Sequence, residues 1–180
     1  MTLSNMQVST EVLEDMIEHA TEQFPLESCG LLAGHGEKVE KFVRTENILT
    51  SKHAFAINPA ELARFLRKIR KKNLEFLGIY HSHPSSSAWP STRDRQEFHY
   101  TEVSYWIISL KTLSFRGQSR DQLDYPKRNL VKGKFDLFVT TKGKTINDNI
   151  LAKPTLQVVV RCFSWQSDHF VMQPFTVTAS

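Results

Sequence analysis

Two histidines separated by one residue, His81 and His83, close the segment EFLGIYHSH. In an extended strand, residues i and i+2 project from the same face, so both imidazoles point one way and Ser82 the other. Two neutral imidazoles on one face suit a borderline-soft divalent metal such as zinc. Asp94, beyond the loop PSSSAWPSTR, can swing back as a third, carboxylate ligand. Three protein ligands leave one position of a tetrahedral zinc for water, which makes such a site catalytic rather than structural. The water then needs a base, and a nearby carboxylate is the usual one. Composition does not choose among the glutamates. Glu27 stands out because it sits just ahead of the apolar run CGLLAG, one serine away, from which a carboxylate can approach the metal from a neighbouring element.

Each of these residues also has a bland reading. Ser-x-x-Asp ahead of a helix is a variant of the capping box, which would explain Ser91 and Asp94 without any metal. The remaining histidines, His19, His35, His53, His99 and His169, stand alone and read as surface or satisfied core residues. The whole pattern His-x-His-(x)7-Ser-x-x-Asp is harder to dismiss. In a chain of this composition it arises by chance on the order of once in a thousand, and here it sits at a strand end, where the chemistry needs it.

The elements that must position these groups are legible in part. STEVLEDMIEHATEQF predicts a helix, with Ser9 or Thr10 as cap, Val12, Leu13, Met16, Ile17 and Ala20 on one face, and Pro25 closing the segment. CGLLAG and GEKVEKFVR predict a hairpin turning at HG. In NPAELARFLRKIRKKN, Asn58 caps, Pro59 fits the first helical position, and Leu62, Phe65, Leu66 and Ile69 form a buried stripe. Arg64, Arg67, Lys68 and Lys71 cover another side of that helix. STRDRQEFHY predicts a short helix and SYWIISL a buried strand. Beyond Leu110, FDLFVTT, LQVVVRCF and HFVMQPFTVTA have strand-like composition, separated by the polar GQSRDQLDYPKRN and KGKTINDN. Strands alternating with helices argue for an α/β or α+β single domain, a mixed sheet flanked by helices.

Composition sets the outer limits. With 180 residues, 40% hydrophobic and 23% charged, the chain is ordinary for a globular domain and unlike a disordered, collagen-like or disulfide-scaffold protein. Cys29 and Cys162 form no CxxC pair, so neither a cysteine zinc site nor a redox motif is expected, and a reducing cytoplasm is the expected compartment. No run reaches the length of a membrane span and the N-terminal residues do not resemble a signal peptide. The net charge of +4 divides unevenly: 12 Lys+Arg against 14 Asp+Glu in residues 1–110, and 11 against 5, with no glutamate, in residues 111–180. A basic C-terminal segment without nucleic-acid motifs points to solubility or an acidic protein partner before DNA or RNA.

The pattern of Glu27, His-x-His-Pro, Ser91 and Asp94 resembles the JAMM (MPN-plus) zinc metalloproteases, in their compact prokaryotic form. The resemblance runs from about residue 7 to 110, through GIYHSHP, Ser-x-x-Asp and YWIISL. It implies an MPN/JAMM-like mixed sheet and one zinc ion per chain held by His81, His83 and Asp94. It also implies Glu27 as general acid/base and Ser91 as the hydroxyl that helps hold the tetrahedral intermediate. The implied reaction is hydrolysis of a peptide or isopeptide bond at the Gly-Gly tail of a ubiquitin-like or sulfur-carrier protein. The alternative is a non-catalytic MPN-type scaffold, with a nucleic-acid role ranked below both. The expected organisation is a catalytic domain over residues 1–153 and a C-terminal segment, 154–180, of unassigned role and peripheral to the fold.

Overall fold

A computed structural model describes residues 5–110, 129–132, 137–140 and 157–179. In chain order the elements are β1 (Met6–Ser9), α1 (Thr10–Gln23), β2 (Cys29–His35), β3 (Lys38–Thr45), α2 (Pro59–Arg70), β4 (Glu75–His83), α3 (Thr92–Glu97) and β5 (Ser104–Ser109). They continue with β6 (Asn129–Lys132), β7 (Leu137–Thr140), β8 (Gln157–Gln166), β9 (His169–Gln173) and β10 (Phe175–Thr178). All ten strands join one mixed sheet in the order β10-β1-β3-β2-β4-β5-β8-β7-β6, with β9 pairing β8.

Strand alternation divides the core into two layers. Leu32, Tyr80, Trp106 and Ile108 point to one face and pack with α1 through Val12, Leu13, Met16 and Ile17. Their neighbours Leu31, Ile79, Tyr105 and Ile107 point to the other face, against Phe65 and Ile69 of α2. Helix α1 starts where expected, because the Ser9 hydroxyl accepts the Val12 N–H at 3.2 Å. Arg44 of β3 then straps the helix to the sheet by pairing with Asp15, Glu18 and Glu22 at 2.6, 2.9 and 2.7 Å. The β2–β3 hairpin turns through Gly36, whose φ of +56° suits glycine. Asn58 caps α2 by accepting the Ala60 N–H at 2.9 Å. The expected stripe of α2 is narrower than its spacing suggests: Phe65 and Ile69 are buried and Leu62 half-buried, but Leu66 is 40% exposed. Strands β4 and β5 run parallel, linked through α3, and register Ile79 with Tyr105 and His81 with Ile107.

The end of the chain corrects the expectation of a peripheral segment after about Pro154. Strand β8 pairs with β5 over Val159–Phe163, and Val158, Val160, Cys162 and Phe163 are buried in the two layers. Strand β10 pairs in parallel with β1, from Met6↔Phe175 to Ser9↔Thr178, and Val177 joins the α1 layer. These residues complete the core although their partners stand far away in sequence. Of the expected strands, FDLFVTT supplies β7 and LQVVVRCF supplies β8, whereas KGKTINDN and nearly all of GQSRDQLDYPKRN lie outside the described residues. Among the described residues, no helix is long and apolar enough to cross a membrane.

Candidate active site

The α2 face of the sheet carries the reactive groups at the C-terminal end of β4. His81 and His83 are both buried, with their Nε2 atoms 2.9 Å apart. The Ser87 carbonyl accepts the Nδ1–H of His83 at 2.7 Å, which leaves Nε2 of that ring with its lone pair. Nδ1 of His81 is buried with no hydrogen-bond partner among the described residues. The ring of His81 is held by packing instead, stacked on Phe55 at 4.7 Å and 20°.

Asp94 faces both rings, its Oδ1 3.4 Å from His81 Nε2 and its Oδ2 3.6 Å from His83 Nε2. Ser91 caps α3. Its Oγ accepts the Asp94 N–H at 3.1 Å, while its own N–H donates to Asp94 Oδ2 at 2.6 Å. The capping box is therefore real, and it is also what aims the carboxylate at the histidines. A second support comes from Tyr105, whose hydroxyl donates to Asp94 Oδ1 at 2.9 Å. Burial alone would raise the pKa of Asp94, but its interactions with His81 and His83 overcome this and hold it far below the carboxylate range. His83 is raised, because its bonds to Asp94 and Ser87 outweigh burial, whereas burial dominates at His81 and lowers it.

Glu27 reaches the same face through strand register. Cys29 lies opposite His81, and the Ser82 N–H donates to the Ser28 carbonyl at 2.9 Å, so Glu27 is level with His83. Directly opposed residues share a face, which places Glu27 with the histidines. On the reverse face Ser28 donates from its N–H to Ser82 Oγ at 2.9 Å and also hydrogen-bonds the buried Tyr80 hydroxyl, locking β2 to β4 behind the site. Glu27 is 6% exposed, and burial pushes its carboxyl up to about 7; nearby His83 pulls it down and Asp94 pushes it up.

The five expected site residues are thus gathered at one end of one face, with Ser91 on the outer, exposed side. His81, His83 and Asp94 offer three ligand atoms within 4.8 Å of one another, a group that could hold a metal ion. The other histidines lie outside this ligand group: His35, His53, His99 and His169 are exposed, and His19 is buried on the inner side of α1, where burial lowers it to about 4. Its Nδ1 has no hydrogen-bond partner among the described residues, so the reading of a satisfied core histidine does not hold for that nitrogen. Two supporting residues escape sequence reasoning. Tyr105 had a signal, since a tyrosine buried mid-strand needs a partner for its hydroxyl. Phe55, in the irregular segment between β3 and α2, had none.

The late strands also touch the site. Phe170 of β9 stacks on Tyr105 at 4.9 Å, and the Arg161 guanidinium of β8 lies 4.6 Å over Trp89 in the loop that carries Ser87. A cavity of about 280 Å³ opens beside Asp94, lined by Phe55, Ile57, Leu62, Phe98 and Tyr105 among others.

With this geometry, residues 9–120 match the family model of prokaryotic homologs of the JAB domain. The chain belongs to that family. It is 36% identical over 98 residues to a probable TtuB-protein conjugate cleaving protease of Thermus thermophilus, a match covering 54% of this chain. That match spans 65% of the Thermus protein, just under two thirds of its length. It is also 29% identical over 116 residues to a desampylase of Haloferax volcanii, covering 61% of this chain and 84% of that protein. The fold is shared with the solution structure of protein DSY2949 from Desulfitobacterium hafniense, at a TM-score of 0.66 and 22% identity over 97% of this chain and 94% of the other. That likeness includes the strands after Pro154.

Proposed function

We propose that this JAB-family chain is a zinc-dependent hydrolase that cuts a peptide or isopeptide bond at the C-terminal tail of a ubiquitin-like or sulfur-carrier protein. The observation that carries the reading is the buried group of His81, His83 and Asp94 with Glu27 on the same face. Its similarity to a probable conjugate-cleaving protease and to a desampylase supports the same class of reaction. The donor set fits the metal: two imidazole nitrogens and one carboxylate oxygen converge, and the hydrogen bond from His83 Nδ1 to Ser87 leaves Nε2 as the ligating atom. In these roles His81, His83 and Asp94 hold one zinc ion per chain.

Zinc, when bound there, supplies a Lewis acid for the scissile carbonyl and lowers the pKa of water. Glu27 takes the proton of the attacking water on its carboxylate and passes it to the leaving amine. Burial on the site face raises the proton affinity of that carboxyl above that of an exposed glutamate. Capping uses the Ser91 hydroxyl as an acceptor and leaves its O–H to donate to the developing oxyanion. Tyr105 and the Ser91 N–H keep Asp94 aimed at the histidines. The substrate chain lies along the cavity beside Asp94, bounded by Phe55 and Tyr105.

Metal analysis of the purified protein tests the centre: about one zinc per chain is expected, with most of it lost in His83→Ala and in Asp94→Ala. Full zinc in both variants would remove the ligand assignment. Cleavage of Gly-Gly-linked conjugates of a ubiquitin-like protein tests the activity, and a zinc-loaded protein that cuts none would refute it.

A further inference from the structure

We infer that Asn47 is a positioning residue that holds Glu27 and Phe55 as one unit against His81. The inference rests on the reading of Glu27 as the acid/base, and it begins from how little of Glu27 is held by the sheet. Its N–H donates to the Ser51 carbonyl at 2.8 Å, and its carbonyl accepts from Asn47 Nδ2 at 2.9 Å. Both main-chain groups of Glu27 are therefore held by the segment that follows β3. Where that segment leaves β3 it has little apolar anchoring, since Ile48 and Leu49 are 47% and 43% exposed, and its apolar contacts come later, at Ala54, Phe55 and Ile57.

Asn47 organises it instead. The second hydrogen of Nδ2 goes to the Ala54 carbonyl at 2.9 Å, and Oδ1 accepts from the N–H groups of Leu49 and Ala56, each at 3.1 Å. Two donors and two acceptor sites are the full capacity of an amide side chain, and all four are used. The orientation of the amide is also determined. Turned over, it would set oxygen against two carbonyls and nitrogen against two N–H groups. Main-chain bonding reinforces the arrangement, with Asn47 bridged to Ile57 and the Ile48 N–H donating to the Ala56 carbonyl at 3.1 Å.

Between Ala54 and Ala56, the two residues tied to the amide, stands Phe55, the ring stacked on His81. One side chain thus fixes the carbonyl of Glu27 and the residues on either side of Phe55. Aspartate would lose both donors and turn a carboxylate toward two carbonyl oxygens, and alanine would lose all four bonds. His81, His83 and Asp94 have no hydrogen bond to Asn47 among the described residues, and the bonds that hold His83 and Asp94, to Ser87, Ser91 and Tyr105, are untouched when the clamp is broken. The metal is therefore still bound while His81 loses part of its packing on Phe55. A misplacement of about 1 Å at a reacting group costs roughly 10²-fold in rate, and that is the expected cost here.

The test combines hydrogen exchange, metal content and kinetics on the full chain. In Asn47→Ala the amides of Glu27, Leu49 and Ala56 should exchange at least ~10-fold faster while those of β4 and β5 are unchanged, and zinc per chain should match wild type. On a ubiquitin-like domain joined through Gly-Gly to the lysine of a fluorescent peptide, kcat should fall ~10²-fold with KM within ~3-fold. Asn47→Asp should lose as much kcat while keeping part of the protection at Leu49 and Ala56, and it carries the same test should the alanine variant not fold. Unchanged exchange at Glu27, or kcat within ~3-fold of wild type, overturns the inference. A wild-type protein that cuts no conjugate refutes the proposed function, and the exchange pattern then still decides whether Asn47 clamps Glu27.

Discussion

Replacing Glu27 with glutamine should make the metal-free protein more stable at neutral pH while abolishing its proposed chemistry. Burial lifts the Glu27 carboxyl from an ordinary 4.5 to about 7. The folded state therefore keeps its proton through a window in which the unfolded chain has already released one. Stability follows the difference in bound protons, so this group leaves stability intact below about 4.5 and erodes it as pH rises toward 7. Converted at about 1.4 kcal/mol per tenfold, the full penalty above pH 7 is about 3 kcal/mol. Glutamine keeps the size and carries no charge at any pH. Urea unfolding of chelator-treated wild type and Glu27→Gln, repeated from pH 4.5 to 8, should give curves that nearly coincide at the acid end. They should separate by up to about 3 kcal/mol, with the variant more stable, at the basic end. Contributions from Asp94 and the histidines are common to both proteins and largely cancel in the difference. A difference that stays flat across the window would show that Glu27 is solvated and ionised in the folded protein, and its buried position on the site face would be wrong. In the zinc-loaded protein the same substitution should leave metal content intact and lower turnover by ~10² or more.

Tyr105→Phe removes the hydroxyl that donates to Asp94 Oδ1 and keeps the ring stacked on Phe170; competition with a chelator should show zinc bound 10–100-fold less tightly, roughly the usual cost of an outer hydrogen bond to a metal ligand. Ending the chain at Pro154 removes β8, β9 and β10, exposing the edge of β5 and one side of Trp89 and Tyr105. Circular dichroism and size-exclusion chromatography should report aggregation or loss of cooperative unfolding, and a monomeric, zinc-binding product would restore the peripheral reading.

What was readable in advance follows the range over which each signal acts. His81, His83, Ser91 and Asp94 sit within one short stretch, and the geometry of a strand followed by a capped helix is local, so spacing alone brings three ligands together. Helices α1 and α2 were legible for the same reason, through caps and a 3.6-residue stripe, although the stripe could not say how far it was covered and Leu66 lies at its exposed margin. Glu27 stood out in sequence only by its place before an apolar run, and its acid/base role came from family resemblance, because its place opposite His83 depends on the pairing of strands about fifty residues apart in sequence. The C-terminal strands were recognisable as strands, but the partners of β8 and β10 are β5 and β1, and no local pattern carries that information. Asn47 and Phe55 sit where the chain has no period at all, and only the folded loop reveals what they hold.

The alternation along β4 gives the site an all-or-none character. Tyr80 and Ser82 serve the α1 layer and its polar lock on Ser28, while the residues between and after them, His81 and His83, serve the chemistry. Insertion or deletion of one residue within this strand would not weaken metal binding by degrees. It would turn both imidazoles into the apolar layer and bring a tyrosine and a serine to the reacting face. The same frameshift in the loop before Ser91 would leave the faces of the strand unchanged but would displace the Ser87 carbonyl that holds His83 or the Ser91 cap that aims Asp94. Length variation is therefore forbidden from Gly78 to His83 for a reason of its own, the loss of both imidazoles from the site face at once. The strand acts as a reading frame, in which chemistry and packing occupy alternate letters.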